Sequence, residues 1–396
     1  MVLSIPSVQN RVVAIATDFA SEKLGTVVKI DHITVGMLNR VKVRGFYVED
    51  FDRDTLLYAE TVTAQIGPLA GMREQFTITA GAVENGVLYL RDTERGEINI
   101  KEITTLLTKP DHKSTFRLKI SSLDAINIDF RLQRNDERRY DTGVNYADMY
   151  MRGINGHIDN FYVDRGAVGG DITYLNFEEQ SGFVLDDLSG YFSVNKGLIT
   201  VSGATIEADE SVINLSSLLL SGDDWESYHD FINNVRLDID IEQSKVSSKM
   251  AGYFAPPLWE WDTELRDVTA SMHGTVASFR GRIDNMRLED GGQLRANATV
   301  NGLTDVYRTR FNVNVTRVDV TTKEFVRLLK NIAHLHIPEG VKPYIERTNR
   351  LKMKGNFKGY ITSFDATANI DVGSGGGLYA TCGIHPQDGD RVVKAT

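Results

Sequence analysis

The sequence predicts an all-β protein, and three observations carry that prediction. Apolar and polar residues alternate with a period of two through most of the chain, the pattern of strands with one greasy and one wet face. Turn residues recur at intervals of roughly 8–12 positions, the spacing of short strands in all-β folds. Thirty-four glycines against eight prolines, with Val, Ile, Tyr and Phe common, suit many strands joined by tight turns. The clearest stretch is FRLKISSLDAINIDFRL. Phe116, Leu118 and Ile120 alternate with Arg117 and Lys119. After an SSLDA interruption, Ile126, Ile128, Phe130 and Leu132 alternate with Asn127, Asp129 and Arg131.

Taken in order, residues 6–24 predict an amphipathic helix. Ser4 can cap it, Pro6 suits its first turn, Val8, Val12, Ile15 and Phe19 recur at helical spacing, and Gly25 ends it. Residues 1–25 are therefore expected to be a helical end piece, and 26–396 one repetitive β-domain without a linker. In TVGMLNRVKVR, Val35, Met37, Val41 and Val43 share one predicted strand face, with Arg40, Lys42 and Arg44 opposite. RGFYVEDFDRDTLLYAETVTAQIG reads as turn, strand and turn. In Phe76–Leu90 two turn signals stand out, Ala80-Gly81 and Asn85-Gly86, the second a strong hairpin cue. INIKEITTLL is open between helix and strand, and TKPDHKST is a loop.

Residues 149–220 give a succession of short strands with no strict repeat. DDWESYHDFINN predicts one or two helical turns, and Val235, Leu237, Ile239 and Ile241 then alternate in a strand. Pro256-Pro257 excludes a mid-sheet position for its segment. Strands resume from Val268, and Phe311, Val313 and Val315 alternate with Asn312, Asn314 and Thr316. Thr321 and Glu324 have capping-box spacing ahead of Phe325, Leu328, Leu329 and Ile332, which predicts a helix. LKMKGNFKGYITSFDATANIDVG returns to strands before a Gly-rich tail.

Composition narrows the function. The formal charge is −10 with acids and bases interspersed, and no basic block or aromatic-basic stripe points to nucleic acid. A single cysteine, Cys382, excludes an intramolecular disulfide and a thiolate cluster. No apolar stretch is long enough to span a bilayer as a helix. His334 and His336 form an H-x-H pair that would need a third metal ligand, and a surface loop or strand pair is the plainer reading. GSGGG at 373–377 lacks the Lys and Ser/Thr of a phosphate loop. Asp186-Asp187 and Asp223-Asp224 sit where turns favour Asp, and DFDRD at 50–54 lacks the spacing of a calcium loop. No nucleophile motif appears, so neither an enzyme nor a cofactor is expected.

The N-terminal phrase LSIPSVQNRVV…LGTVVKIDHITVGMLNRVKVRGFYVEDFDRDTLLYAETVTAQIG resembles the N-terminal part of TamB-type (translocation and assembly module) proteins of the AsmA-like superfamily. Gly45, Glu49, Asp50, Asp54, Thr55, Leu56, Leu57 and Ala59 carry the match. SKMAGYFAPPLWEWDTELRDVTASMHGTVASFR and VNVTRVDVTTKEFVRLLKN resemble later family segments. The resemblance implies an elongated, curved antiparallel sheet forming a bridge-like hydrophobic groove, with a few short helices. It further implies a periplasmic location, inner-membrane anchorage, and passage of phospholipid acyl chains between two membranes. An outer-membrane barrel protein is an implied partner. The family's preceding membrane helix and long C-terminal half have no counterpart here, so the chain is expected to be an N-terminal slice of a longer protein.

Alternation alone fits a closed sandwich as well as an open trough. Too few amphipathic helices to cover the strand faces, and large inner residues mixed with β-branched ones, favour the trough. Its expected lining is Val35, Met37, Val41, Val43, Phe116, Leu118, Ile120, Ile126, Ile128, Phe130, Leu132, Val235, Leu237, Ile239, Ile241, Phe311, Val313 and Val315. Two rivals stand beside a lipid conduit: an assembly factor that binds outer-membrane clients by strand addition, and a structural or adhesive β-protein.

Overall fold

A computed structural model describes residues 17–18, 21, 24–67, 75–93, 96, 98–101, 117–135, 142–164, 166–254, 256–303, 308–331, 349–360, 362–371, 377–387 and 390–395. Where the sequence predicts one domain over 26–396, the contacts divide the chain into two units, Met1–Asn195 and Lys196–Thr396. Each is an open, curved β-sheet. Of the predicted N-terminal helix only 17–18, 21 and 24 are described, and they are helical. Phe116, His334, His336 and residues 373–376 lie outside the described residues.

The first unit contains β1 (Val28–Lys29), β2 (His32–Val35), β3 (Arg40–Glu49), β4 (Thr55–Ile66), β5 (Gln75–Arg91) and β6 (Arg117–Gln133). It continues with β7 (Asp148–Asp164), β8 (Ala167–Glu179), β9 (Val184–Leu185) and β10 (Asp187–Asn195). β1 and β2 both pair with β3, and β3, β4 and β5 follow antiparallel. β5 and β6 pair in parallel, which corrects the wholly antiparallel expectation. A parallel neighbour requires a long crossover, here residues 92–116. β6, β7 and β8 then run antiparallel, and β8 pairs with both β9 and β10.

Two local predictions fail in this unit for physical reasons. Met37 does not continue a strand from Val35. A 3-10 turn over Met37–Asn39 separates β2 from β3, closed by the Gly36 N–H on the Arg40 carbonyl at 2.7 Å. Nor does Asn85-Gly86 turn a hairpin, because β5 runs through it as one 17-residue strand. Asn85 does adopt the left-handed angle that made the dipeptide conspicuous (φ 52°). The register explains why the strand goes on. Gly45 (φ 63°), Glu60, Asn85 and Asn127 (φ 53°) fall on one line across β3, β4, β5 and β6.

All four strands therefore step together, and side-chain hydrogen bonds stitch the line. The Asn85 amide donates to Glu60 Oε2 at 2.6 Å, and the Asn127 amide to Asn85 Oδ1 at 2.8 Å. The Asn127 backbone N–H reaches Asn155 Oδ1 at 3.0 Å on β7. Asparagine and glycine are the residues that tolerate positive φ at low cost. The spacing of apolar residues changes from two to three across this line: Val43 to Phe46, Val83 to Gly86, Ala125 to Ile128.

The second unit is an unbroken antiparallel meander. It comprises β11 (Leu198–Ala208), β12 (Ser211–Ser221), β13 (Arg236–Ser247), β14 (Glu264–Gly274), β15 (Ser278–Leu288) and β16 (Gln293–Asn301). Then follow β17 (Arg310–Thr321), β18 (Arg350–Tyr360), β19 (Ser363–Asp371), β20 (Gly377–Gln387) and β21 (Asp390–Ala395). Each pairs with the next. The segment expected to be a Gly-rich tail thus carries two further strands. Residues 225–230 form a 3-10 helix that runs into α1 (Phe231–Asn234), as the sequence predicts.

The remaining helices close one end of the second sheet. α2 (Ser248–Gly252) leads to a 3-10 segment over Pro256–Trp261, and α3 (Thr322–Asn331) follows β17. Trp261, Leu265, Val268, Leu288, Val318 and Val320 form a buried cluster, against which Phe325 and Met353 pack. Only half of the predicted capping box forms. Thr321 Oγ1 accepts the Glu324 N–H at 3.2 Å. The reciprocal bond is replaced: the Thr321 N–H donates to Asp290 Oδ2 at 3.1 Å, and Glu324 accepts the Trp261 indole N–H, also at 3.1 Å. Glu324 is drawn away because the buried indole needs an acceptor.

Candidate functional site

The feature that stands out in both units is an apolar face over most of which the described residues place no second layer. In the second unit, directly opposed residues share a face, so the register can be followed strand by strand. From β11 to β19 it gives Val201, Leu218, Ile239, Met272, Gly281, Ala298, Val313, Phe357 and Ala366. Every member of that row is half-exposed. In a closed sandwich the mid-strand positions of the inner face would be the most buried in the fold. Here the most buried cluster lies elsewhere: Leu265, Leu288, Val318, Val320 and Leu351, near the strand ends under the helices, are buried, whereas no member of this mid-sheet row is, although Ala204 and Leu215 beside it are.

Apolar rows continue on either side, partly exposed except at Leu237 and Val300, which are buried. Ile241, Ala270, Ile283, Ala296, Val315, Gly355 and Ala368 form one. Leu237, Gly274, Phe279, Val300, Phe311, Gly359 and Phe364 form the other. Large side chains stand beside small ones along these rows, Phe311 and Phe364 flanking Gly359 and Met272 facing Gly281. A Cβ at Gly355 would lie 2.4 Å from the Thr367 carbonyl oxygen, so the close approach of β18 and β19 there excludes any other residue without a backbone shift.

The first unit has a shorter counterpart. Phe46, Ala59, Gly86, Ile128 and Ile154 form one row, and Val48, Leu57, Leu88, Phe130 and Met151 the next. Beyond the asparagine line, Val43, Val62, Val83, Ala125, Gly156 and Leu175 continue. Val48 and Ala59 are buried, and most of the others are half-exposed. At the far end Glu179 is buried and engaged, its Oε1 accepting the Tyr150 N–H and its Oε2 the Ser181 N–H.

Most of the predicted lining residues fall on these rows. Val41, Val43, Ile128, Phe130, Leu132, Leu237, Ile239, Ile241, Phe311, Val313 and Val315 pair with apolar or small neighbours on adjoining strands. Leu118 and Ile120 do so beside Val163 and Phe161. Val35 opposes Val41 at the short strand β2. Three residues depart. Met37 lies in the 3-10 turn and is 89% exposed. Ile126 pairs with Glu84, one residue before the asparagine line re-phases the strand, and is 44% exposed. Val235 caps α1 ahead of β13 and is fully buried, 0% exposed. The residues missed by counting large hydrophobics are the small partners, Gly281, Ala296, Ala298, Gly355 and Ala366; their signal is strict alternation in LRANATV and FRGRI, not bulk.

Two polar clusters flank the faces. Asp50 is 1% exposed, yet its Oδ1 accepts the Asp52 and Asp54 N–H groups at 3.0 and 2.9 Å. Its Oδ2 accepts Arg91 Nη2 at 2.9 Å and Asn99 Nδ2 at 3.1 Å. Burial pushes this carboxyl up, but the Asp54 backbone, Asn99 and Arg91 together hold it below its ordinary value. The Arg91 guanidinium thus occupies the centre of the DFDRD loop, paired with Asp50, Asp52 and Asp54. On the polar face, His157 Nδ1 lies 2.7 Å from Asp124 Oδ1, and that hydrogen bond raises the imidazole above its usual range against the opposing effect of burial. Among the described residues no group of three His, Cys, Asp or Glu side chains has the geometry to hold a metal ion.

The fold and these faces define a class: open, one-layered β-sheets with an unsealed apolar side and a charged outer side. Compared with known protein families, curated proteins and solved structures, the chain matches none.

Proposed function

We propose that the chain is a segment of an envelope lipid conduit, in which the apolar face of each unit carries phospholipid acyl chains while the headgroups stay in water. The reading places the protein in the periplasm, tied to the inner membrane through the longer parent protein. One observation supports it above the rest, the unbroken half-exposed row from Val201 to Ala366. Eight strand-to-strand steps of ~4.8 Å make that row about 38 Å long, more than the thickness of a bilayer's hydrocarbon core at ~30 Å. The flanking rows span seven strands, about 29 Å, so three rows ~6.7 Å apart cover roughly 400 Å², the size of the largest apolar patch on an ordinary monomer, which often marks an interaction site.

The energetics suit transfer rather than storage. Full burial of a methylene is worth ~0.8 kcal/mol, and a tail lying on one open face gains about half of that per group. The gain is enough to hold a chain and too small to trap it. The sheet needs no catalytic group for this task.

The test is lipid analysis of protein purified from a membrane-containing host in mild detergent. Phospholipid is expected at or above one molecule per chain, and is expected to fall several-fold in Ile239→Asp/Val313→Asp. A stable, folded wild type with no extractable lipid, and no cross-link from a photoreactive residue at 313 to acyl chains, refutes the proposal.

A further inference from the structure

The wet side of the second unit holds an arrangement the conduit does not require. Arg295 on β16 lies directly opposite Arg317 on β17. On the other flank the pairing of β17 with β18 slips by one between Val315–Gly355 and Val318–Met353. That bulge sets Thr316 and Arg317 together against Lys354. Lys354 opposes Asn369, and Asn369 opposes Tyr379 on β20. Three cations, an amide and a phenol therefore follow one another along a single line across five strands.

Like charges directly opposite one another destabilise a sheet, and little in the neighbourhood offsets them. Arg317 Nη2 lies 3.6 Å from Asp319 Oδ2, but Asp319 is already held by Arg350. The side chains of Arg295 and Lys354 have no hydrogen-bond or ion-pair partner among the described residues. The chain as a whole is acidic, at −10, so this is no consequence of average composition. The line also borders an open depression of about 730 Å³, whose other carboxylate is Asp371. Tyr379, 60% exposed, stands at its margin. Bulges gather beside functional sites because they re-aim side chains, and this one sets both Thr316 and Arg317 on the margin of the depression.

We infer that Arg295, Arg317 and Lys354, with Thr316, Asn369 and Tyr379, form a binding site for a phosphate ester on the polar face of the second unit. Guanidinium groups bind phosphate oxygens through paired N–H donors, lysine adds a point charge, and the Asn369 amide and Tyr379 phenol complete the oxygen shell, while the Thr316 hydroxyl, donating to the Arg295 carbonyl at 3.2 Å, ties the bulge to β16. The residues alternate with Leu294, Val318, Met353 and Ile370 along their strands, so the site lies on the side away from the apolar rows and does not rest on the acyl-chain reading. The phosphate belongs either to a soluble ester or to a lipid headgroup at a membrane surface.

Glycerol 3-phosphate titrated into the full chain, followed by calorimetry, tests the first source. Flotation with phosphatidylcholine vesicles, with and without phosphatidylglycerol, tests the second. Saturable binding of glycerol 3-phosphate is expected if the ester is free; binding to phosphatidylglycerol vesicles alone assigns the site to a headgroup. In either case Arg295→Gln and Lys354→Gln should each weaken binding about tenfold, the effect of losing one charge-assisted hydrogen bond. All these side chains are exposed, so the variants keep the fold. Lys358→Gln, on the same strand but outside the depression, should leave binding unchanged. The inference is overturned if neither probe binds, or if Lys358→Gln weakens binding as much as the other two, which would mean diffuse attraction rather than a site.

Discussion

Val313 and Val320 lie on the same strand, β17, and the contrast between them measures whether the apolar face is open. Val313 is half-exposed in the middle of the nine-strand row, and Val320 is 0% exposed beneath α3. Burying a valine fully is worth at least ~1.5 kcal/mol, so the partial burial of Val313 contributes about 1 kcal/mol. The poorer strand propensity of Asp adds up to ~1 kcal/mol, and its carboxylate remains hydrated on an open face. Val313→Asp should therefore cost about 1.5 kcal/mol. At Val320 the same change loses the full transfer term and buries an unpaired charge, which costs several kcal/mol more; the total should exceed ~4 kcal/mol. Urea unfolding followed by far-ultraviolet circular dichroism reads both, with the midpoint shift scaled by the m-value. A Val313→Asp variant as damaged as Val320→Asp would mean that the row packs against a dry second layer. The open-face argument would then be wrong, whatever lipid co-purifies.

Three other consequences follow from particular contacts. Asp50→Asn removes the buried partner of Arg91 but leaves its pairs with Asp52 at 3.4 Å and Asp54 at 2.8 Å, so it should cost about 1.5–3 kcal/mol in denaturant unfolding, the scale of one charge-assisted hydrogen bond. Because the folded carboxyl lies below its ordinary value, its stabilisation is present above the unfolded pKa near ~3.9 and is lost as pH falls through the lower folded value; acid unfolding of the Asn variant should show less of that loss. His157 has the opposite sign. Its raised folded pKa gives stabilisation that is complete below the unfolded value near ~6.5 and disappears as pH rises through the folded one, and Asp124→Asn should return its NMR titration toward ~6.5. Asn127→Val places a β-branched residue at φ 53° and removes the bond to Asn85, so it should cost about 2–3 kcal/mol, while Asn127→Gly, which keeps the angle, should lose only the side-chain bonds, about 1 kcal/mol.

The sequence made the strands legible because alternation is a local property of residues two apart, and for equally local reasons it placed α1 and α3 and kept Pro256-Pro257 out of the sheet. What it hid was set between strands. Asn85-Gly86 has the chemistry of a two-residue turn, and the positive φ it signals is real. Whether such an angle ends a strand or bends it depends on the neighbours, and here Glu60 and Asn127 lie in register beside it and carry the step across the sheet. Ile126 looked like a continuation of Ile128, Phe130 and Leu132 because alternation was counted straight through the bend, and the bend gives that position to the other side.

The lining was misjudged for a related reason. A search for large hydrophobics finds Phe311 and Val313 but passes over Ala298, Gly281 and Ala366, which are as much part of the same row. In a two-layered core such small residues would leave voids and be disfavoured. On a face that meets no second layer they leave no void at all. Small side chains at Gly281, Ala296, Ala298, Gly355, Ala366 and Ala368 lower the floor of the sheet between taller neighbours such as Met272, Phe357 and Ile370. The mixture of small and large residues is therefore not poor packing. It gives the row a relief of low and tall side chains, which the proposed conduit would use to seat an acyl chain and which no count of hydrophobic residues supplies.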